Sequence, residues 1–235
     1  MTAAVVEAAA QARNDARPAE IAWTAADARG VGGNRHDPRG PTDPEAGVLG
    51  IRAFGSWRAV VLVYGMHPTV LHEDSTLVSG DFPAFARQHI QEALGSSTTV
   101  LYHTGPAGDQ SPRHCVQGQT LAEAERLGRQ LGAAVLTRLG HLTFHKSVRL
   151  SGAIRAVALP RRTLPSCEEA ERQLQAARAC HEALRQAGAA RAELRTAEVS
   201  VFGAEGALRL ARARESGELD RFLAAAQPLD RKSVV

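Results

Sequence analysis

Val60-Val-Leu-Val-Tyr-Gly-Met-His67-Pro-Thr69 is followed by Ser79-Gly-Asp81-Phe-Pro-Ala-Phe-Ala-Arg87 and then by Val100-Leu-Tyr-His-Thr-Gly-Pro-Ala-Gly108-Asp-Gln-Ser111-Pro-Arg113. The order is apolar strand, polar turn, helix, apolar strand, polar turn. That is the βαβ order, which sets loops side by side at the carboxyl ends of neighbouring parallel strands, where α/β folds hold their ligands. The His-Pro-Thr turn and the Gly-Asp-Gln-Ser-Pro turn then share one end of a sheet, and two such turns can build one site.

Working outward, Asp81 to Leu94 has helical spacing through Phe82, Phe85, Ile90 and Leu94, with Gly95 as the stop signal. Thr98 to His103 is the following strand. Upstream, Val48 to Phe54 and Arg58 to Met66 flank Gly55-Ser56 as a β-hairpin, and the second arm is apolar enough to be a central strand. An opening helix over about residues 2–14 and a strand within Pro18 to Asp27 come first. Between them and the hairpin, the Gly/Pro/Asp/Arg segment from Gly30 to Gly47 reads as too polar for core. Downstream, Thr120 caps a helix to Leu139, with Leu121, Ala124, Leu127, Leu131, Val135 and Leu139 on one face. Ala153 to Leu159 reads as a strand and Pro160 to Pro165 as a connector. Ser166-Cys-Glu-Glu opens a helix to about Gln186, and Ala189 to Arg214 holds one or two more. The expected fold class is α/β, a mixed or mostly parallel sheet flanked by helices with a helix-rich C-terminal portion. The expected domains are a core over 1–159, its helical continuation over 160–229, and a patternless, non-native tail over 230–235.

Composition excludes several classes of function. The 235 residues are 44% hydrophobic, enough for one large core or a core with a helical appendage. The net charge of +3 rests on arginine, since Lys146 and Lys232 are the only lysines. No stretch interleaves clustered arginine with aromatics, which are 4% of the chain, so no nucleic-acid surface is expected. Cys115, Cys167 and Cys180 form no Cys-x-x-Cys pair and imply neither a disulfide framework nor a cysteine zinc site. Glu7 interrupts the N-terminal apolar run, which reads as an amphipathic helix and not a signal peptide. No apolar run is long enough to span a bilayer.

The chemistry-bearing residues each have two readings. His67 at a strand end has the placement of a zinc ligand, and also that of a histidine hydrogen-bonded in a tight His-Pro turn, which local sequence favours. His141 and His145 have i,i+4 spacing, but Gly140 and Thr143 argue against a helix there. In Gly105 to Pro112 the glycines permit close backbone approach, so its N–H groups can face an anion or oxyanion. Ser111 is then a nucleophile or a positioning hydroxyl, and Asp109 orients a histidine or stabilises an Asx turn. Arg35, within Gly32 to Pro44, can grip a carboxylate with its fork of donors, or it lies in a solvated loop.

Taken in order, Gly33-Asn34-Arg35, Gly40-Pro-Thr-Asp43-Pro, Met66-His67-Pro-Thr, Leu77-Val-Ser79-Gly80-Asp81-Phe-Pro-Ala-Phe-Ala and Gly108-Asp-Gln-Ser111-Pro-Arg resemble the N-terminal domain of the neutral/alkaline non-lysosomal ceramidases. The resemblance covers about residues 31–113 and continues more softly to about residue 226. It implies a zinc-dependent amidase that cleaves the N-acyl bond of a lipid amide such as ceramide, of a family often secreted or membrane-associated. It makes His67 a zinc ligand, Arg35 an arginine reaching the active site, Ser111 a site residue beside a zinc-bound water, and Asp81 a supporting acid. By family order a Thr-His-x-His-Ser-Gly-Pro segment precedes the opening helix, and later glutamate and tyrosine ligands lie past the last residue. The resemblance therefore implies a fragment that holds one zinc ligand, where a catalytic zinc takes three protein ligands and a water. A hydrolase of another amide or ester, or a non-catalytic α/β binding domain, fits the same turns.

Overall fold

The run that ends at Tyr64 becomes an inner strand. A computed structural model describes residues 2–72, 75–155, 157 and 163–230, in two units, Met1–Gly152 and Ala153–Val235. The first unit contains α1 (Thr2–Asn14), β1 (Glu20–Asp27), β2 (Gly33–Asn34), β3 (Glu45–Ala53), β4 (Ser56–Tyr64), α2 (Asp81–Leu94), β5 (Thr99–Thr104), β6 (Gln110–Ser111) and α3 (Leu121–Leu139). A four-stranded sheet has the order β1-β3-β4-β5, with β2 and β6 forming a separate two-stranded ladder. The β1–β3 and β3–β4 pairs are antiparallel and the β4–β5 pair is parallel. The sheet is thus mixed, with antiparallel pairing in the majority. A short turn between β3 and β4 can join only antiparallel neighbours, whereas α2 provides the crossover that parallel β4 and β5 require.

Alternation along the strands sends even-numbered residues to one face. Ala26, Ala46, Val48, Val60, Leu62, Tyr64 and Val100 are buried there against Phe82, Ala86 and Ile90 of α2 and Ala124, Leu127, Leu131, Val135 and Leu139 of α3. Phe85 and Leu94 are partly buried against the same core. Leu121 departs from the expected α3 face, being 42% exposed in the first turn, where the Thr120 hydroxyl accepts the Glu123 N–H. Odd-numbered residues face the other way, and Trp23 is 64% exposed. The apolar run of β4 is therefore central but covered on one face.

α2 and α3 approach closely because glycines replace side chains between them. A Cβ built on Gly128 would lie 2.6 Å from the Phe82 carbonyl oxygen, and one on Gly132 3.2 Å from that of Ala86. The segment 30–44 corrects a sequence expectation, since Val31 and Asn34 are buried. The Asn34 amide meets partners distant in sequence, and burial of a satisfied polar group costs little.

The second unit contains α4 (Cys167–Gln186), α5 (Arg191–Glu215) and α6 (Glu218–Asp230). Ser166 caps α4 by accepting the Glu169 N–H at 3.1 Å. Ala170 and Leu174 pack against Leu208 and Ala211, flanked by Arg178–Glu205 and Arg212–Glu171 ion pairs, each 2.8 Å. The strand expected over Ala153 to Leu159 does not form at residues 153–155 and 157. The rest of that stretch, residues 160–162 of the connector and residues 231–235 of the tail lie outside the described residues. No helix among the described residues is long and apolar enough to cross a membrane.

Candidate functional site

Parallel pairing of β4 and β5 brings their following turns into contact. The Gly105 N–H donates to the Tyr64 carbonyl at 2.9 Å, and a Cβ on Gly65 would stand 2.6 Å from the Pro106 carbonyl oxygen. Only glycine lets these two backbones approach so closely.

Three loops meet beyond this point. In the β2–β6 ladder Gly33 lies opposite Ser111 and Asn34 opposite Gln110. The Arg35 N–H donates to the Asp109 carbonyl at 2.7 Å and the His67 N–H to the Gln110 carbonyl at 3.1 Å. The segments carrying Arg35, His67 and Ser111, distant in sequence, are therefore tied by backbone hydrogen bonds. Two buried amides lock them. Asn34 Nδ2 donates to the Pro41 carbonyl and to Asp109 Oδ2, while its Oδ1 accepts the N–H groups of His36 and Asp37. Gln110 Nε2 donates to Pro41 O and Asp109 Oδ1, and its Oε1 accepts the Thr42 hydroxyl at 2.6 Å. Sequence reasoning passed over both amides. Their signal lies in the motifs themselves, as the Asn of Gly-Asn-Arg and the Gln of Gly-Asp-Gln-Ser-Pro.

The Gln110 amide holds the Asp109 carboxyl below its ordinary value, helped by Asp109's own backbone and by the fields of His36 and Arg35, against desolvation. A depressed folded-state pKa means that this stabilisation is complete above the ordinary value of 3.8 and is lost as pH falls through the folded value. The side-chain amide of Asn34 is accordingly expected to keep its hydrogen-exchange protection at the ordinary value of 3.8 and to lose it only as pH falls through the depressed value beneath it. Protection that stays unchanged under acid would contradict the assignment.

Arg35 is anchored through its carbonyl, which accepts from Arg113 Nη1 at 2.9 Å and lies 3.3 Å from His114 Nε2. Its Nε is sealed from solvent without a hydrogen-bond partner. His67 is half-buried. Its turn is closed by the Thr69 N–H donating to the His67 carbonyl at 3.0 Å, and its ring makes no hydrogen bond to a described residue. The Ser111 hydroxyl is buried and accepts the Arg113 N–H at 3.3 Å, a local turn, with no base bonded to it among the described residues. Asp81 opens α2 in a left-handed conformation, φ 53°. Its buried carboxylate accepts the N–H groups of Val70, Leu71 and Phe82, fastening the loop that follows His67.

An open groove of about 570 Å³ lies alongside, lined by Ala25, Thr42, Asp43, Gly65, Pro106 and Gln110 among others. Asp109 lines it, whereas Arg35, His67 and Ser111 do not. No group of three or more His, Cys, Asp or Glu is placed to hold a metal ion among the described residues. His141 and His145 lie past the end of α3. His145 forms a bridge with Ile21 instead, and its ring is tilted over Trp23 at 5.7 Å.

No protein-family model matches the chain, and no curated protein matches it by sequence. Among solved structures, a ceramidase complexed with C2 is similar with TM-score 0.49 and 17% identity, over 56% of this chain and 24% of that one. The neutral ceramidase from Pseudomonas aeruginosa gives TM-score 0.49 and 17% identity over 58% of this chain and 25% of that one. The chain spans about a quarter of the length of these structures.

Proposed function

We propose that this chain is part of a ceramidase-like zinc-dependent amidohydrolase that cleaves the N-acyl amide bond of ceramide or a related lipid amide. The reading rests on five motif segments in family order. The observation that carries it is the tying of Arg35, His67 and Ser111 segments through the β2–β6 ladder and the Gln110 carbonyl. Arg35 then binds the carboxylate product or the developing oxyanion, because guanidinium offers a fixed fork of donors. Ser111 positions substrate through its hydroxyl, since it lacks the bonded base that would activate a nucleophile. Asp109 holds the turn, and Asp81 holds the loop after His67.

Bound zinc would polarise the amide carbonyl and acidify a water. The described residues offer His67 as one donor and complete no metal site, so no step is assigned to the metal. A non-catalytic α/β domain binding the same amide is the second reading, favoured by the separation of the groove from Arg35, His67 and Ser111. A hydrolase of another amide or ester shares the first reading's site.

The test is calorimetric titration with a short-chain N-acyl sphingoid amide, with and without zinc, alongside an assay for released fatty acid. Saturable binding weakened about tenfold or more in Arg35→Ala is expected. A zinc-dependent increase in affinity abolished in His67→Ala supports the metal reading. Binding that ignores both substitutions would overturn the site.

A further inference from the structure

The hairpin end, far along β3 and β4 from the candidate site, collects three departures from regular structure. Phe54 and Gly55 close the turn with left-handed backbones, φ 54° and 77°. Glycine and asparagine suit such positions, and an aromatic residue is strained there. Phe54 is 88% exposed, so no packing offsets that strain. The register also slips, with Ile51 opposite Ala59 but Arg52 opposite Trp57, and such bulges re-aim side chains. Finally, the Arg52 guanidinium is held between two rings, 4.2 Å from the Trp57 centroid and 4.3 Å from that of Phe144. Its Nε is sealed from solvent without a partner, and the side chain makes no ion pair or hydrogen bond with any described residue.

A hollow of about 530 Å³ opens beside it, lined by Pro18, Glu20, Arg52, Phe54, Gly55 and Lys146 among others. Lys146 Nζ lies 3.6 Å from the Glu20 carboxylate in an exposed pair, which solvent weakens. Arg52 makes no direct ion pair, although Glu20 stands opposite it in the β1–β3 ladder, and the lining carries two cations, Arg52 and Lys146, to the one carboxylate of Glu20. We propose that this hollow is an oxyanion site taking a phosphate-type group, with Arg52 as the preorganised donor and Lys146 as the second cation. Ring stacking fixes the guanidinium before binding, so little side-chain freedom is lost when its outward N–H groups are engaged. The group is either free phosphate or a phospholipid headgroup, for which the Phe54 ring offers an apolar neighbour. The inference is independent of the amidase reading and draws on none of its residues.

The full chain titrated with inorganic phosphate and followed by NMR tests it. Saturable shifts at the Arg52 Nε–H and the Lys146 amide are expected, with affinity reduced about tenfold in Arg52→Lys, which keeps the charge but loses the planar fork. Lys146→Gln, at an exposed position, is expected to reduce it about threefold and serves if the Arg52 variant fails to fold. Co-sedimentation with phosphatidylcholine vesicles, with and without phosphatidylglycerol, distinguishes the sources. Binding to the anionic vesicles alone, weakened in Phe54→Gly while phosphate affinity is kept, assigns a lipid headgroup. Phosphate binding without vesicle binding assigns free phosphate. No perturbation by either probe, or the parent's affinity in both Arg52→Lys and Lys146→Gln, overturns the site.

Discussion

Gly128→Ala is expected to destabilise the first unit by about 3 kcal/mol, read as a lower urea midpoint. Intrinsic propensity predicts the opposite sign, because alanine stabilises a helix interior over glycine by about 1 kcal/mol. Geometry decides against propensity. The added Cβ would lie 2.5 Å from Phe85 Cβ, 2.6 Å from the Phe82 carbonyl oxygen and 2.9 Å from the Ala86 nitrogen. Two of those atoms are backbone of α2 and cannot turn aside, so α2 must lift from α3 and open the core around Phe82, Ala86, Leu127 and Leu131. Gly132→Ala provides the contrast. Its nearest neighbour is His89 Cδ2 at 2.9 Å, on a ring able to rotate, and the expected loss is about 1 kcal/mol. A stabilised Gly128→Ala variant would show that the helices do not pack as described.

Asp81→Ala is expected to cost about 3 kcal/mol and to free the loop that follows His67. The carboxylate accepts three N–H groups, from Val70, Leu71 and Phe82 at 2.9, 2.9 and 2.7 Å, and an orphaned buried donor costs about 1–3 kcal/mol. The left-handed backbone at Asp81 adds about 1 kcal/mol for alanine and nothing for glycine. Asp81→Gly should therefore fall between wild type and Asp81→Ala, which separates lost acceptors from backbone strain. Hydrogen exchange reads the local effect, with faster exchange at Val70 and Leu71 in both variants. Unchanged protection at those amides would remove Asp81 from its fastening role.

The elements that sequence revealed are those whose cause is local. Asp81 to Leu94 carries its own apolar spacing and its glycine stop, and α2 spans those residues. Thr120 is a cap by side-chain chemistry alone, and it caps α3. The β4-α2-β5 crossover follows from the order of strand, helix and strand. What escaped reading depends on partners far along the chain. The segment 30–44 is polar by composition, yet Asn34 is buried because Asp109, 75 residues later, completes its hydrogen bonds. Gln110 is an unremarkable amide until Thr42 and Pro41 meet it. Gly128 stands inside α3 with no side chain of its own to mark it, and it is where two helices touch. At the site, motif order singled out the segments of Arg35, His67, Asp81, Asp109 and Ser111, but no pattern could tell that Asp81 grips backbone or that the Ser111 hydroxyl closes a local turn.

The central claim is that the loops carrying Arg35, His67 and Ser111 form one binding site. An amide-resolved NMR titration of the full chain with a short-chain N-acyl sphingoid amide tests it most directly. The account predicts saturable, concerted shifts at the backbone amides of Arg35, His67, Gln110 and Ser111, all lost in Arg35→Ala. Shifts confined to other residues, or none at these four, would contradict it.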